Sequence, residues 1–300
     1  MMAHLNELLA RTTSENRRRL VLVNGIDQHS LEAAALAVEH GIVDVLITGC
    51  RKTIDETCQK LKLNSVRFQI WDAKSEEEAA TIALRLVVDG KADCIMKGLI
   101  STDKYMRALL NKEFGMIGPK GVLSHVTVVE NKNYHKLLFV SDVAIIPYPD
   151  LNQKAVMIGY LIQTARKFGI EQPKVALIAA TEQVLPSIPA CTEAALLSKM
   201  AERGQITGGL VDGPMGLDVA IDKESAQIKK VSSPVAGDAD CLLFPNIDAG
   251  NVFYKMGSKL CSSQQAAIVV GAKVPAVLSS RGDSVQTKLN SIALAALMSR

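Results

Sequence analysis

The chain has 300 residues, of which 48% are hydrophobic and only 4% are aromatic. This length suits two lobes rather than one small domain, and the core must be built from Ala, Val, Leu and Ile, as in α/β proteins with buried parallel strands. The 34 basic and 31 acidic residues leave a net charge of +3, which is too balanced to indicate a nucleic-acid-binding surface.

The cysteines and the N-terminus exclude further classes. The six cysteines form no CxxC pair and share no zinc-binding spacing with the histidines, so we expect reduced core cysteines and no metal site. The N-terminus lacks the basic start and apolar stretch of a signal peptide, and no apolar run of about 18 residues is free of charges. We therefore expect a cytoplasmic protein with no membrane-spanning segment.

Short apolar runs alternate with helical patterns along the first half of the chain, which predicts βα units and a parallel sheet. The helix that begins at Leu31 has Ser30 as its expected N-cap. Segments 122–130 and 137–140 form an expected strand pair, because no helix-length stretch separates them. The other predicted strands are 20–24, 43–48, 66–71 and 94–97, and the predicted helices are 31–40, 75–89, one beginning near Thr102, and 151–168.

The second half of the chain repeats this plan. Pro147 and Pro149 mark the expected boundary between the lobes. The first lobe is then residues 1–148, which residues 277–300 are expected to complete, and the second lobe is residues 149–276. The predicted strands of this half are 175–180, 210–211, 241–244, 267–270 and 275–279, and its predicted helices are 192–202, 250–261 and 284–298.

The strongest candidate site is the segment Val277-Leu-Ser-Ser280-Arg281-Gly282-Asp283-Ser284. A buried strand ends there in hydroxyls, an arginine and a glycine, and a helix begins at once. Such a turn suits an anion, because helix N-terminal amides carry partial positive charge and a guanidinium donates two hydrogen bonds to phosphate oxygens. Ligands of open α/β sheets also collect at the carboxyl ends of strands. A plain strand-to-helix turn with a serine cap is the alternative interpretation.

The segment from Met96 to Arg107 has the same design, with a strand end, a glycine, two hydroxyls and a helix start. Its Lys97, Ser101, Thr102 and Arg107 could bind a phosphate or a phosphoanhydride. Taken alone, the pattern fits an N-capped surface helix equally well. Two strand-end segments of this kind in one chain indicate anion binding more strongly than either segment alone.

A third candidate combines a Pro/Gly loop, residues 232–240, with an Asx- and Gly-rich turn, residues 244–255. The loop leads into a strand, and the strand leads into the turn before a helix. Small residues let a ligand approach the backbone closely, although the same bend also has a purely structural interpretation.

These three segments resemble the phosphate acetyl/butyryltransferase family. The SPVAG loop (Ser233–Gly237), the FPN-x-D-A-G-N turn (Phe244–Asn251) with Tyr254-Lys255, and the S-R-G-x-S motif (Ser280–Ser284) occur in the family's order. The likeness covers most of the chain, roughly residues 93–300, and extends more loosely to the N-terminal strands.

The resemblance implies a fold and a reaction. The segment that begins at Lys97 and the ending that begins at Lys288 are more similar to the butyryl branch of the family. The implied fold is a two-lobed, three-layer α/β/α architecture similar to isocitrate and isopropylmalate dehydrogenases, with the active site in the interlobe cleft and a homodimer or larger homo-oligomer. The implied reaction is acyl-CoA + phosphate ⇌ acyl phosphate + CoA, with butyryl groups favoured, no metal, and coenzyme A as a substrate rather than a permanently bound cofactor.

By the same resemblance, Ser280 and Arg281 match the family's active-site serine and arginine. Acetyltransferases of the family place a general-base aspartate seven residues after that serine, where this chain has Thr287. The acceptor of the CoA thiol proton is therefore open: Asp283 lies nearby in sequence, and a thiolate stabilised by Arg281 and the helix terminus needs no dedicated base. The expected substrate-binding residues are Lys97, Ser101, Thr102, Arg107, Ser233, Pro234, Gly237, Asn246, Asn251 and Lys255.

Three rival interpretations accompany this one. The first is the same reaction with acetyl specificity. The second is a metal-dependent decarboxylating dehydrogenase on the shared fold, which needs clustered aspartates and a nicotinamide site that the sequence does not display. The third is a non-catalytic protein that binds CoA or another metabolite, which the missing aspartate leaves open.

Overall fold

The computed structural model describes residues 1–13, 17–119, 121–280 and 282–299. Two short 3₁₀ helices, Ser65–Arg67 and Lys112–Phe114, accompany its α-helices and strands. The helices are α1 (Leu5–Thr12), α2 (Gln28–Glu39), α3 (Arg51–Leu61), α4 (Glu76–Val88), α5 (Thr102–Leu110), α6 (Leu151–Lys167), α7 (Pro189–Glu202), α8 (Leu217–Ile221), α9 (Lys223–Ile228), α10 (Ile247–Lys259) and α11 (Val285–Met298). The strands are β1 (Arg18–Val23), β2 (Val43–Gly49), β3 (Phe68–Asp72), β4 (Cys94–Lys97), β5 (Ser124–Glu130), β6 (Leu138–Ser141), β7 (Lys174–Ile178), β8 (Leu210–Met215), β9 (Cys241–Leu243), β10 (Gln264–Val270) and β11 (Ala276–Val277).

Polar side chains fix where several helices begin. Asp27, Ser101, Asp150 and Ser284 each place a side-chain oxygen on the backbone amide three residues later. These caps satisfy amides that have no partner within the helix. The sequence predicted Ser30 as the cap of α2, but Asp27 takes that position and Ser30 lies inside the first turn. The prediction was wrong because both residue types cap helices well and the apolar pattern does not mark the first turn.

The chain divides into two compact units. The first unit consists of Leu5–Leu123 and the residues from Ala266 onward, and the second consists of Met1–His4 and Ser124–Gln265. The sequence placed the boundary at Pro147–Pro149 instead. β5 and β6 form the expected strand pair, and the pairing is antiparallel. β6 also pairs in parallel with β9, which ties both strands to the second unit. The prolines precede α6 and do not mark the division between the units.

In the first unit the strand order is β3-β2-β1-β4-β11-β10. The first five strands run parallel, and β10 is antiparallel to β11. Residues 20–23 of β1 and all of β4 are buried, as expected for parallel strands covered on both faces. Helix α4 packs on β1 and β2 with α5 beside it, and α2, α11 and α1 form a separate helical group on this sheet.

In the second unit the strand order is β5-β6-β9-β7-β8. β6, β9, β7 and β8 run parallel, and β5 is antiparallel to β6. Helix α6 packs on β5, β6, β9 and β7, and α7 packs on β7 and β8. Leu138, Val140, Leu242, Phe244 and Tyr254 belong to the buried core of this unit. Within the described ranges, no helix is long and apolar enough to cross a membrane.

Candidate functional site

The carboxyl ends of β4 and β11 lie side by side in the first unit, since Val277 of β11 pairs with Met96 of β4. β4 ends at Lys97, and the chain leaves β11 towards Ser280. Both candidate segments of this unit therefore leave the sheet at the same edge, as parallel neighbouring strands require.

Gly98 lets the end of β4 approach β1 closely. Its amide donates to the carbonyl of Val23 at 2.9 Å, and a Cβ at this position would lie 2.6 Å from the carbonyl oxygens of both Val23 and Asn24. The side-chain amide of Asn24 donates in turn to the carbonyl of Leu99 at 2.6 Å. Because only glycine permits this contact, Lys97 ends beside the turn that begins α2.

Lys97 is buried, with 5% of its surface exposed. Its Nζ donates to the carbonyl oxygens of Ile100 at 2.8 Å and of Gly98 at 3.3 Å. These carbonyl oxygens hold the buried Lys97 side chain at the carboxyl end of β4.

Tyr105 holds the start of α5 at this edge. Its hydroxyl lies 3.4 Å from the carbonyl oxygen of Ile95 in β4 and 3.5 Å from that of Val277 in β11. The hydroxyl of Ser101 caps the helix by accepting an amide hydrogen bond at 3.2 Å. Thr102 is the first helical residue, and its side chain is exposed. The Ser101 hydroxyl therefore has the capping role of the alternative interpretation, and Thr102 is exposed at the start of α5.

Lys104 and Arg107 of α5 both contact acidic neighbours. The Nζ of Lys104 lies 2.9 Å from the carboxylates of Glu77 and Glu76, and hydrogen bonds to them raise the pKa of Lys104 to about 12. The guanidinium of Arg107 lies 2.9 Å from the carboxylate of Asp103, one turn away, and its side chain is 77% exposed. An exposed pair of this kind is weak, so Arg107 can exchange Asp103 for a ligand at little cost.

Ser280 begins a tight turn before α11. Its amide donates to Oδ2 of Asp283 at 2.7 Å, and its hydroxyl accepts from the amide of Gly282 at 3.4 Å. Its side chain is exposed and therefore accessible to a ligand. Arg281, the second predicted catalytic residue, lies outside the described residues.

Thr287 and Asp283 bear on the open question of the proton acceptor. Thr287 lies in the first turn of α11, where its amide and its hydroxyl are each 3.1 Å from the hydroxyl of Ser284. The carboxylate of Asp283 accepts the amide hydrogen bond of Ser280. Thr287 thus takes part in capping the helix, and Asp283 closes the turn.

Sequence reasoning missed Lys288, which follows Thr287 in α11. It is 4% exposed, and its Nζ donates to the hydroxyl of Ser279 at 2.9 Å. Burial lowers the pKa of Lys288, and the charges of Asp27 and Asp283 oppose that shift. The available signal was a lysine on the core side of a strongly apolar helix, a position that charged residues rarely take.

A cavity of about 270 Å³ lies at the same edge of the first unit. The start of α2, the end of β4, the residue Ser279 after β11, and α11 form its walls. Asp27, Ser30, Lys97, Ser279 and Lys288 supply polar groups to it. Sequence analysis named Lys97 as a ligand-binding residue but did not connect it with the other four.

In the second unit, Ser233, Pro234 and Gly237 lie in the loop that leads into β9. The hydroxyl of Ser233 accepts the amide of Val235 at 3.2 Å, and Pro234 is exposed. Gly237 has a φ of +71°, and a Cβ there would lie 2.7 Å from the Cα of Lys223. The fold therefore requires glycine at this position whatever the loop binds.

An ion-pair network follows this loop directly. Asp238 accepts hydrogen bonds from Nζ of Lys174 at 2.5 Å and from Lys136, whose Nζ lies 3.0 Å away, and Nε2 of His135 is 2.9 Å away. Lys136 also lies 2.7 Å from Asp240. Burial alone raises the pKa of Asp238, but these hydrogen bonds outweigh it and hold the pKa well below its usual range.

Asn246 and Asn251 support the turn that follows β9. Asn246 caps α10 by accepting an amide hydrogen bond at 3.1 Å, and Asn251 donates its side-chain amide to the carbonyl of Val143 at 3.0 Å. A Cβ on Gly250 would lie 2.1 Å from the carbonyl oxygen of Asp142. The glycine therefore lets the first turn of α10 rest directly on the segment after β6.

The two predicted segments of the second unit flank β9 in the chain. The loop that contains Ser233 enters the strand, and the turn that begins at Asn246 leaves it. Lys255 is exposed on α10, with its Nζ 5.5 Å from the ring centre of Tyr254. Both segments thus combine a structural role with side chains that reach solvent.

The cysteines and possible metal ligands add no further site. Among the described residues, no three His, Cys, Asp or Glu side chains are grouped as metal ligands would be. All six cysteines are free thiols. Cys50 is exposed, contrary to the prediction of a core residue, because it precedes α3 at the surface, and Cys261 is partly exposed.

Comparison with known proteins identifies similar chains. A family model described as phosphate acetyl/butaryl transferase matches residues 53–296. A phosphate butyryltransferase of Clostridium acetobutylicum is 41% identical over 99% of this chain and 99% of its own. A phosphate acetyltransferase of Rhizobium meliloti is 37% identical over 97% of this chain and 92% of its own. The crystal structure of a branched-chain phosphotransacylase from Enterococcus faecalis V583 has a TM-score of 0.83 at 27% identity, over 94% of this chain and 100% of that one, which confirms the predicted α/β fold class.

Proposed function

The chain belongs to the phosphate acetyl/butaryl transferase family, and on this premise we propose that it catalyses acyl-CoA + phosphate ⇌ acyl phosphate + CoA. Butyryl is the favoured acyl group, because the likeness to a phosphate butyryltransferase extends over the whole chain. Coenzyme A is a substrate of this reaction and not a permanently bound group.

One observation carries the proposal to particular residues. The pairing of β4 with β11 brings the buried ammonium group of Lys97 and the exposed hydroxyl of Ser280 to one sheet edge. A cation and a hydroxyl at the carboxyl ends of parallel strands suit an anionic substrate with a reacting carbonyl group. Ser280 and Arg281 are accordingly the proposed catalytic residues.

The proposed chemistry is direct attack in a ternary complex. An oxygen of hydrogen phosphate attacks the thioester carbonyl, the C–S bond breaks, CoA leaves as the thiolate, and the phosphate proton passes to that thiolate or to solvent. In the reverse direction the thiolate attacks the carbonyl of the acyl phosphate, the C–O bond to phosphate breaks, and the departing phosphate takes up a proton. The Ser280 hydroxyl donates a hydrogen bond to the carbonyl oxygen as negative charge develops there, and Arg281 binds phosphate oxygens. Holding both substrates together converts a bimolecular step into an effectively intramolecular one.

The remaining predicted residues are proposed substrate contacts. Lys97, Ser101, Thr102 and Arg107 bind phosphate or the acyl phosphate. Residues of the second unit contact CoA, namely Ser233, Pro234, Gly237, Asn246, Asn251 and Lys255. Assembly into a homodimer or larger homo-oligomer and a cytoplasmic location are part of the same proposal, and light scattering on the purified protein measures the first.

Acyl specificity is tested with a series of acyl-CoA substrates. Initial rates of CoA release are measured with acyl chains of two to six carbons at saturating phosphate. The proposal predicts a higher kcat/KM for butyryl-CoA than for acetyl-CoA. The opposite order would favour acetyl transfer, which the likeness to a phosphate acetyltransferase makes the second candidate.

A further inference from the structure

The cavity at the strand ends of the first unit is small, and several polar side chains lie on its wall. Its volume of about 270 Å³ is below the roughly 300–1,000 Å³ of pockets that hold drug-sized ligands. It therefore suits a small anion or a short acyl phosphate rather than a whole CoA molecule. All the residues that line it belong to the first unit.

Two buried ammonium groups line this cavity. Lys97 is 5% exposed and Lys288 is 4% exposed. Among the described residues, the one hydrogen-bond partner of Lys288 is the hydroxyl of Ser279 at 2.9 Å. An ammonium group has three donors, so Lys288 retains donors for a ligand. A ligand with two or more negatively charged oxygens would therefore find hydrogen-bond donors on this wall of the cavity.

The start of α2 adds two polar atoms that the fold does not satisfy. Oγ of Ser30 is buried and has no hydrogen-bond partner among the described residues, and the residue is 1% exposed. Oδ1 of Asp27 accepts the amide of Ser30 at 3.0 Å, whereas Oδ2 is buried and has no partner in the described chain. Buried polar atoms are almost always satisfied, so a donor and an acceptor at this cavity point to a missing ligand.

We propose that this cavity is the phosphate subsite of the acyl-transfer reaction, an inference that rests on the proposed function. Lys97 and Lys288 bind phosphate oxygens through their ammonium groups. The Ser30 hydroxyl donates a hydrogen bond to a third oxygen. Oδ2 of Asp27 accepts the hydrogen bond of the P–OH group that inorganic phosphate carries near neutral pH.

Asp27 lets the subsite distinguish hydrogen phosphate from sulfate, which the positive charges of the lysines alone would not do. Its carboxylate repels an anion that has no proton to donate, such as sulfate, and accepts a hydrogen bond from hydrogen phosphate. The two lysines attract both anions equally. The wild-type protein therefore binds phosphate in preference to sulfate.

CoA also carries phosphate groups, on its nucleotide. Inorganic phosphate and the phosphate groups of CoA are distinguished by measuring the binding of inorganic phosphate and of adenosine 3′,5′-bisphosphate separately. If the cavity binds inorganic phosphate, substitutions in it weaken the binding of phosphate and leave the affinity for the nucleotide unchanged. Weaker binding of the nucleotide alone would overturn the proposal.

The first experiment measures phosphate affinity by calorimetry in Lys288→Met and Ser30→Ala, with the exposed Lys52→Met as the control. We expect Lys288→Met to weaken phosphate binding about tenfold or more, since a hydrogen bond to a charged group is worth about that factor. Ser30→Ala removes an unsatisfied group, so it leaves the melting temperature unchanged or raised while phosphate affinity falls. Lys52→Met changes neither quantity.

Ser30→Ala keeps the test decisive if Lys288→Met does not fold. A purely structural role of Ser30 would leave phosphate affinity at the wild-type value, which would overturn the proposal. Asp27→Asn retains an N-capping side chain and should reduce the preference for phosphate over sulfate. An unchanged preference in this variant would contradict the assigned acceptor.

The phosphate subsite and the proposed function are tested independently, so one can fail while the other stands. Phosphate binding is measured without acyl-CoA, so it does not depend on turnover. If the wild type binds phosphate through these residues but releases no CoA from acyl-CoA, the proposed function fails and the anion site stands. If CoA release depends on phosphate but the KM for phosphate is the same in wild type and Ser30→Ala, the subsite fails and the function stands.

Discussion

The ammonium nitrogen of Lys288 lies 2.9 Å from the hydroxyl oxygen of Ser279, the residue immediately before Ser280. The contact ties the first turn of α11 to the end of β11. Ser280 is held on its other side by Asp283, whose carboxylate accepts the Ser280 amide at 2.7 Å. The proposed catalytic serine therefore sits in a turn that is anchored at both ends.

Ser280→Ala tests the proposed role of the serine hydroxyl. Loss of one hydrogen bond to a developing oxyanion costs roughly 100-fold to 1,000-fold in kcat in comparable sites, and we expect a loss of about 100-fold here. The melting temperature should not change, because Ser280 is exposed and its hydroxyl accepts only a long amide hydrogen bond of 3.4 Å in the described turn. A kcat close to that of wild type would rule out this role.

Gly98→Ala tests how β4 positions Lys97. The added Cβ would lie 2.6 Å from two backbone carbonyl oxygens, so β4 and β1 must separate at their ends. We expect a loss of about 1–3 kcal/mol in the free energy of unfolding together with a higher KM for phosphate. Gly118→Ala is the matched control in the same unit, because no heavy atom lies within 4 Å of its added Cβ. Equal stability of the two variants in urea would contradict this role of Gly98.

Much of the first unit's strand-and-helix order was predictable from the sequence, because buried parallel strands are short apolar runs and serine caps mark helix starts. Ser101 and Ser284 cap the helices that the sequence predicted. The short helices α1, α8 and α9 were not predicted, since eight or fewer residues give too little periodicity. The 11-residue α3 was also not predicted, because only Ile54 and Cys58 mark its buried side. The division between the units also escaped prediction, because it depends on the pairing of β6 with β9, about 100 residues apart in sequence.

The sequence predicted only those residues of the candidate site that lie at or soon after the end of a strand. Lys97 is the last residue of β4 and Ser280 lies three residues after β11, so the sequence places both at the carboxyl ends of strands. Lys288 lies inside a helix, and Ser30 and Asp27 come from a distant part of the chain. Their convergence on one cavity depends on the packing of α2 against α11, which no local pattern records.

Gly250→Ala tests the support of the turn that contains Asn246 and Asn251. The Cβ would lie 2.1 Å from the carbonyl oxygen of Asp142, a contact that backbone atoms cannot relieve without moving. We expect a destabilisation of about 3 kcal/mol or failure to fold. Gly159→Ala in α6 is the control: its Cβ meets no heavy atom within 4 Å, and alanine favours a helix interior by about 0.5–1 kcal/mol. Opposite shifts in melting temperature are therefore expected, and a neutral Gly250→Ala would contradict the packing described.

Asp238 should make stability depend on pH at the acid end. Its folded-state pKa is below the unfolded value near 3.9, so its contribution is fully present above that value and is lost as pH falls through the folded pKa. Asp238→Asn should therefore cost about 1–2 kcal/mol at pH 7, and its difference from wild type should shrink as the solution is acidified. Unfolding in urea across pH measures this, with the exposed Asp55→Asn as control. A constant difference at every pH would show that Asp238 contributes by packing rather than by charge.

The stoichiometry of the reaction tests acyl transfer to phosphate most directly. The protein is incubated with butyryl-CoA and inorganic phosphate, free CoA is measured with a thiol reagent, and butyryl phosphate is trapped with hydroxylamine. We predict equal amounts of CoA and butyryl phosphate, and no CoA release when phosphate is omitted. Release of CoA without phosphate, or without formation of butyryl phosphate, would contradict the account.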